Sequence, residues 1–103
     1  GLERRKVFVG GTDARDRFEL VEHFSQFGDV QDVEVLRERD HKTPRGFAFV
    51  TFQHAAAAAR LLAQPITTLG SSRMEAKICL DPKETLSDFA LRYQSELQAA
   101  PPP

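Results

Sequence analysis

Two short segments alternate in a way that restricts how this chain can fold. In Lys6-Val7-Phe8-Val9-Gly10, an extended strand puts Val7 and Val9 on one side and Lys6 and Phe8 on the other. In Phe47-Ala48-Phe49-Val50-Thr51-Phe52, the inward set is Ala48, Val50 and Phe52, which turns Phe47 and Phe49 outward. A strand packed on helices from one side buries one parity and gives the other to water, where polar residues belong. Phe8, Phe47 and Phe49 break that rule together, and three outward phenyl rings need a reason.

The segments around these strands read as alternating helices and strands. Gly10-Gly11 ends the first strand. Asp16-Arg17-Phe18-Glu19 has the spacing of a capping box. Leu20, Phe24 and Phe27 then recur on one helical face, and Gly28 is placed to close that helix. Valine-rich 30–37 predicts a second strand, and 38–44 a charged, proline-containing loop. The alanine run in 54–64 favours helix, with Ala55, Ala58, Leu61 and Leu62 as its expected buried stripe, and Pro65 stops it. Leu69 to Ser72 reads as a turn. Met74, Ala76 and Ile78 alternate with Glu75, Lys77 and Cys79, a fourth strand. Asp81-Pro82-Lys83-Glu84 is a helix start, and Leu86, Phe89 (or Ala90), Tyr93 and Leu97 repeat at helical spacing, giving a third helix over roughly 82–99.

The expected fold is therefore α+β: a ferredoxin-like βαββαβ sandwich. It has a four-stranded antiparallel sheet, two helices on one face and an added C-terminal amphipathic helix. Residues 1–5 form an N-terminal flank, 6–80 the domain, 81–99 the C-terminal helix and 100–103 a proline tail.

The 103 residues carry a formal charge of -1, which is not the charge pattern of a duplex binder coated in basic residues. The balance is uneven: residues 1–80 hold 12 Lys+Arg against 11 Asp+Glu, and residues 81–103 hold 2 against 4. Any nucleic-acid site must be a local patch that relies on stacking. A single cysteine, Cys79, excludes an internal disulfide. No apolar run reaches membrane-spanning length, so no membrane partner is expected. With no secretory signal at the start, nuclear or cytoplasmic residence is the expectation. His23, His41 and His54 lack the spacing of metal ligands, no glycine-rich phosphate loop is present, and no catalytic set or cofactor is implied.

Unstacked bases supply the reason the phenyl rings need. A base in a single strand has a flat apolar face that lies on a ring, worth about 1–3 kcal/mol per base. Duplex bases are already stacked and offer no such face. The octamer Arg45-Gly46-Phe47-Ala48-Phe49-Val50-Thr51-Phe52 fits the pattern basic, glycine, aromatic, small, aromatic, aliphatic, variable, aromatic. Together with Lys6 to Gly11 it resembles the paired motifs of the RNA-recognition motif (RRM) family. The chain is most similar to the Musashi, DAZ-associated and heterogeneous nuclear ribonucleoprotein A/B type. That resemblance implies that Phe8 and Phe49 stack on two successive bases of single-stranded RNA, and that Phe47 inserts between sugars or against a third nucleotide. It implies that Arg45 pairs with a phosphate, that Lys6 and Lys77 contact the RNA from the same sheet face, and that Arg37, Arg39 and Lys42 wrap the far side from the loop. Its setting would be an RNA-processing or post-transcriptional regulatory protein. Thr12 stands where the family has an aliphatic residue, no tryptophan follows it, and Glu34 is expected on the RNA-facing side, where it repels phosphate.

Stacking ignores the 2′-hydroxyl, so single-stranded DNA is an equal candidate on this ground. A different class of function is also open. The C-terminal helix, through Leu86, Phe89, Tyr93 and Leu97, has an apolar face to bury: across the sheet as a lid, on the flank, or against a second copy as a homodimer. The acidic first helix (Asp13, Asp16, Glu19, Glu22) admits either a solvated face or a protein-binding domain of the U2AF-homology kind.

Overall fold

A computed structural model describes residues 4–13, 15–35, 46–79, 83, 85, 86, 88 and 90–92. Its elements run β1 (Lys6–Gly10), α1 (Arg17–Phe24), β2 (Val30–Val35), β3 (Phe47–Phe52), α2 (Ala55–Ala63), β4 (Ile66–Leu69) and β5 (Ser72–Ile78). The strands form one sheet in the order β2-β3-β1-β5-β4, with every neighbouring pair antiparallel. The inward parity is the expected one. Val7, Val9, Val33, Ala48, Val50, Phe52, Met74 and Ala76 form one buried cluster with Leu20 and Phe24 of α1 and Ala57, Ala58 and Leu61 of α2. Both helices therefore pack on the same face, and the other face belongs to a different set of side chains.

Local chemistry fixes the ends of α1. The Glu19 amide donates to Asp16 Oδ1 at 2.9 Å, and the Asp16 amide donates to Glu19 Oε2 at 3.0 Å, closing the expected capping box. At the other end the cap is Ser25 rather than Gly28, with the Ser25 hydroxyl donating to the Val21 carbonyl at 2.6 Å. Gly28 serves a different purpose. With φ at +150°, a Cβ there would lie 2.6 Å from Ala57 Cβ, so the glycine lets the exit of α1 approach α2. That approach also explains why the buried stripe of α2 is Ala57, Ala58 and Leu61. Ala55 is exposed and Leu62 only half-buried.

Among the described residues the sheet has five strands where four were expected. Residues 66–69 pair with 72–75 in a hairpin, so the turn is confined to Gly70-Ser71 within the expected 69–72 stretch. Ile-Thr-Thr-Leu lacks a clear hydrophobic alternation because β4 is an edge strand, with Ile66 partly exposed. Arg15 ties this hairpin to the loop after β1. Its Nε donates to Ser72 Oγ at 3.1 Å and its Nη2 to the Leu69 carbonyl at 2.8 Å, while Ser72 Oγ donates to Asp13 Oδ2 at 2.6 Å. His23 makes a second link, Nε2 lying 3.1 Å from Thr67 Oγ1, and burial pushes its imidazole below the ordinary histidine pKa. None of the described helices is long and apolar enough to cross a membrane.

Thr12 carries a local cost. It is fully buried, its amide donates to the Gly46 carbonyl at 2.9 Å, and its hydroxyl has no hydrogen-bond partner among the described residues. A buried, unsatisfied hydroxyl costs about 1–3 kcal/mol. Thr12→Val keeps the shape and removes the polar atom, so it should raise stability by about 1 kcal/mol in urea unfolding. A midpoint at or below that of wild type would mean the hydroxyl is satisfied.

Candidate nucleic-acid interface

The register of the three central pairings lines up four side chains across the helix-free face. Glu34 of β2 is opposite Phe49 of β3, Phe49 is opposite Phe8 of β1, and Phe8 is opposite Lys77 of β5. The row thus reads carboxylate, ring, ring, ammonium. Phe47 lies two residues before Phe49 on the same side, and its ring stacks on Phe8 with centroids 5.4 Å apart and planes at 23°. Phe8 and Phe49 meet edge to face at 6.2 Å and 75°. Lys6 Nζ sits 4.3 Å from the Phe49 ring centroid, a cation–π contact. Lys77 Nζ is 3.9 Å from Glu75 Oε1, an exposed pair worth little to stability.

These rings do not meet water, as was expected of them. Phe8 is 0% exposed, Phe49 2% and Phe47 9%. They form a second buried cluster with Cys79, Leu86 and Ala90, separate from the main core. The orientation read from parity is right, but the C-terminal segment covers the rings. Leu86 and Ala90 stand four residues apart on one helical face and are buried, while Asp88, Leu91 and Arg92 on the other faces are exposed. Of the three docking places open to this helix, the structure shows the one across the sheet. The physical reason is mutual: the rings and the helix each have an apolar face to bury, and each is the nearest partner for the other.

The helix also begins later than 82. Lys83 lies in a turn and Thr85 is not helical, whereas Leu86 is. The Asp88 amide donates to Thr85 Oγ1 at 3.1 Å, which makes Thr85 the N-cap. Thr85 followed three residues later by Asp88 is the local sequence signal for this cap. Cys79, one residue beyond β5, is buried in the ring cluster, which its parity with Lys77 foreshadows.

Several candidates lie outside the described residues. Arg45, Arg37, Arg39 and Lys42, expected to meet phosphate, are among them, as are Phe89, Tyr93 and Leu97 of the C-terminal helix. Glu34 is exposed on the ring-bearing face, as expected. No group of three His, Cys, Asp or Glu side chains among the described residues is placed to hold a metal ion.

Comparison with known proteins supports this architecture. The profile of a family described as RNA recognition motif matches residues 14–75. Among solved structures, the RNA-binding domain of Hrp1 in complex with RNA aligns with a TM-score of 0.66 at 22% identity, covering 77% of this chain and 47% of that one. This chain thus spans about half of that Hrp1 chain. The RRM of RNA15 aligns at 0.63 and 18% identity, covering 73% of this chain and 88% of that one. The third RRM domain of Mip6 aligns at 0.66 and 14%, covering 77% and 98%. At these identities the likeness is one of fold.

Proposed function

This chain belongs to the RNA recognition motif family, and we propose that it binds single-stranded RNA by stacking successive bases on Phe8 and Phe49 once the C-terminal helix leaves the sheet. One observation carries the reading: three phenyl rings side by side on the sheet face opposite α1 and α2, in a cluster separate from the main core. A domain that needed only a third helix would be served by aliphatic residues there. Phe8 and Phe49 stand in adjacent strands in direct register, as neighbouring bases on a strand require. Lys6 and Lys77 flank them for the phosphates. The relative solved with RNA, the Hrp1 domain, shares this fold. The natural setting is an RNA-processing or regulatory protein of the nucleus or cytoplasm.

The covered rings equally favour a second reading, in which the face serves protein contact. Its own helix occupies the face here, and a second copy or another protein would do so in an exchanged state.

Fluorescence titration of a short single-stranded RNA tests the first reading. Phe8→Leu with Phe49→Leu keeps apolar volume under the helix while removing both stacking faces. At about 1–3 kcal/mol per stacked base, affinity should fall at least tenfold while circular dichroism stays that of the folded chain. Undiminished affinity of the folded variant would move the site off the sheet.

A further inference from the structure

We propose that Glu34 makes the place above Phe49 a guanine subsite; the inference rests on the RNA reading above. Glu34 is directly opposite Phe49, on the same face, in the edge strand β2. It is exposed and forms no hydrogen bond or ion pair with the other described residues. Directly opposed residues in an antiparallel pair have Cβ atoms about 4.5–5.5 Å apart. A base lying on the Phe49 ring therefore brings one edge to the Glu34 carboxylate.

A carboxylate beside a stacking ring rejects and selects at once. It repels phosphate, so a strand crossing this face turns a base edge, rather than its backbone, toward β2. It accepts hydrogen bonds and donates none. The Watson–Crick edge of guanine carries two neighbouring donors, N1–H and the 2-amino group, which match the two oxygens of one carboxylate. Adenine offers its 6-amino group beside the N1 lone pair, and cytosine its 4-amino group beside the N3 lone pair. Uracil offers one N–H between two carbonyls. Each of these three forms at most one hydrogen bond there and sets a lone pair against the carboxylate. The opposite end of the row reverses the chemistry, because Lys77 beside Phe8 only donates. The two ring positions are thus unlike along the row: a base on Phe49 displaces Lys6 Nζ from above the ring and meets an acceptor at Glu34, and a base on Phe8 meets a donor at Lys77.

The test uses the full chain and fluorescent eight-nucleotide uridine RNAs holding one central guanosine, inosine, adenosine or cytidine. The wild-type chain should prefer guanosine over the uridine-only strand by about tenfold, in line with one two-bond base contact. Inosine, which lacks the 2-amino group, should fall between them. Glu34→Gln should lose most of the guanosine preference and bind the uridine-only strand more tightly, since phosphate repulsion is gone. Glu34 lies outside the main core on an exposed strand position, so the variant should fold. Binding of all RNAs with no guanosine preference, or a preference that survives Glu34→Gln, overturns the subsite and leaves the stacking reading standing. Failure to bind any of the RNAs, with residues 82–103 present or removed, overturns the stacking reading and the subsite with it.

Discussion

Removing residues 82–103 should tighten the binding of a short single-stranded RNA by about tenfold or more, because the sheet is then open without competition. On the stacking proposal, the helix and the bases compete for the same surface. Burying Leu86 contributes about 1.5–3 kcal/mol, and the Thr85 cap about 1 kcal/mol. Against these stands the ordering of a short helix that is marginal on its own in water. The net docking energy is then on the order of 1–3 kcal/mol, which RNA stacked on two rings can offset but must first overcome. Apparent affinity is reduced by the fraction of chains that are open, and each 1.4 kcal/mol of closure is a factor of ten. Cys79, 1% exposed in the covered cluster, offers an internal check, since its thiol should react faster with a labelling reagent in the shortened chain. Among the described residues the main core draws nothing from the C-terminal segment, so the shortened chain should fold. If the folded, shortened chain binds RNA no better than the full one, the helix is not a lid. If neither binds, the stacking reading fails and the protein-contact reading is favoured.

Much of the fold was legible because burial enforces period. Val7 and Val9, Ala48, Val50 and Phe52, and Met74 and Ala76 read as inward faces, and all lie in the main core. The capping box at Asp16 and Glu19 was legible for a different reason, since two side-chain hydrogen bonds need that spacing wherever it occurs. Strand β4 was not legible. An edge strand is weakly constrained by burial, and Ile66 to Leu69 has two threonines that serve a half-solvated surface without alternation. The role of Gly28 was also hidden. A glycine near a helix end reads as a cap, whereas here it yields space to Ala57 in another helix, a long-range contact with no local signature.

For the candidate site, direction was readable and exposure was not. Parity decides which side of the sheet a side chain takes, so Phe8, Phe47, Phe49, Lys77 and Glu34 stand on the expected face. Whether that face meets water depends on where a separate element docks, and helical spacing shows only that Leu86 has a partner to find. The alternative Ala90 was the informative residue. Its small side chain lets the helix lie close against the rings, and it is fully buried there.

The double substitution Phe47→Ala with Phe49→Ala should destabilise the full chain by at least about 3–5 kcal/mol, a loss comparable to the whole stability of a small domain. Were these rings in water, the same change would leave the fold nearly untouched. Being 9% and 2% exposed beneath Leu86 and Ala90, they leave a cavity when truncated, and the helix loses the surface it docks on. The two causes separate in a cycle with the chain lacking 82–103. There the rings already face solvent on the helix-free side, so truncating them should cost less, by about 2 kcal/mol or more. Urea unfolding of the four chains measures this coupling directly. Equal losses in both backgrounds would show that strand neighbours, rather than the C-terminal helix, bury the rings. A large coupling would identify the contact that RNA must break, and would mean that RNA-binding loss in the full-length double variant reflects unfolding as well as lost stacking. For that reason the leucine substitutions, which keep the helix seated, are the ones that report on stacking.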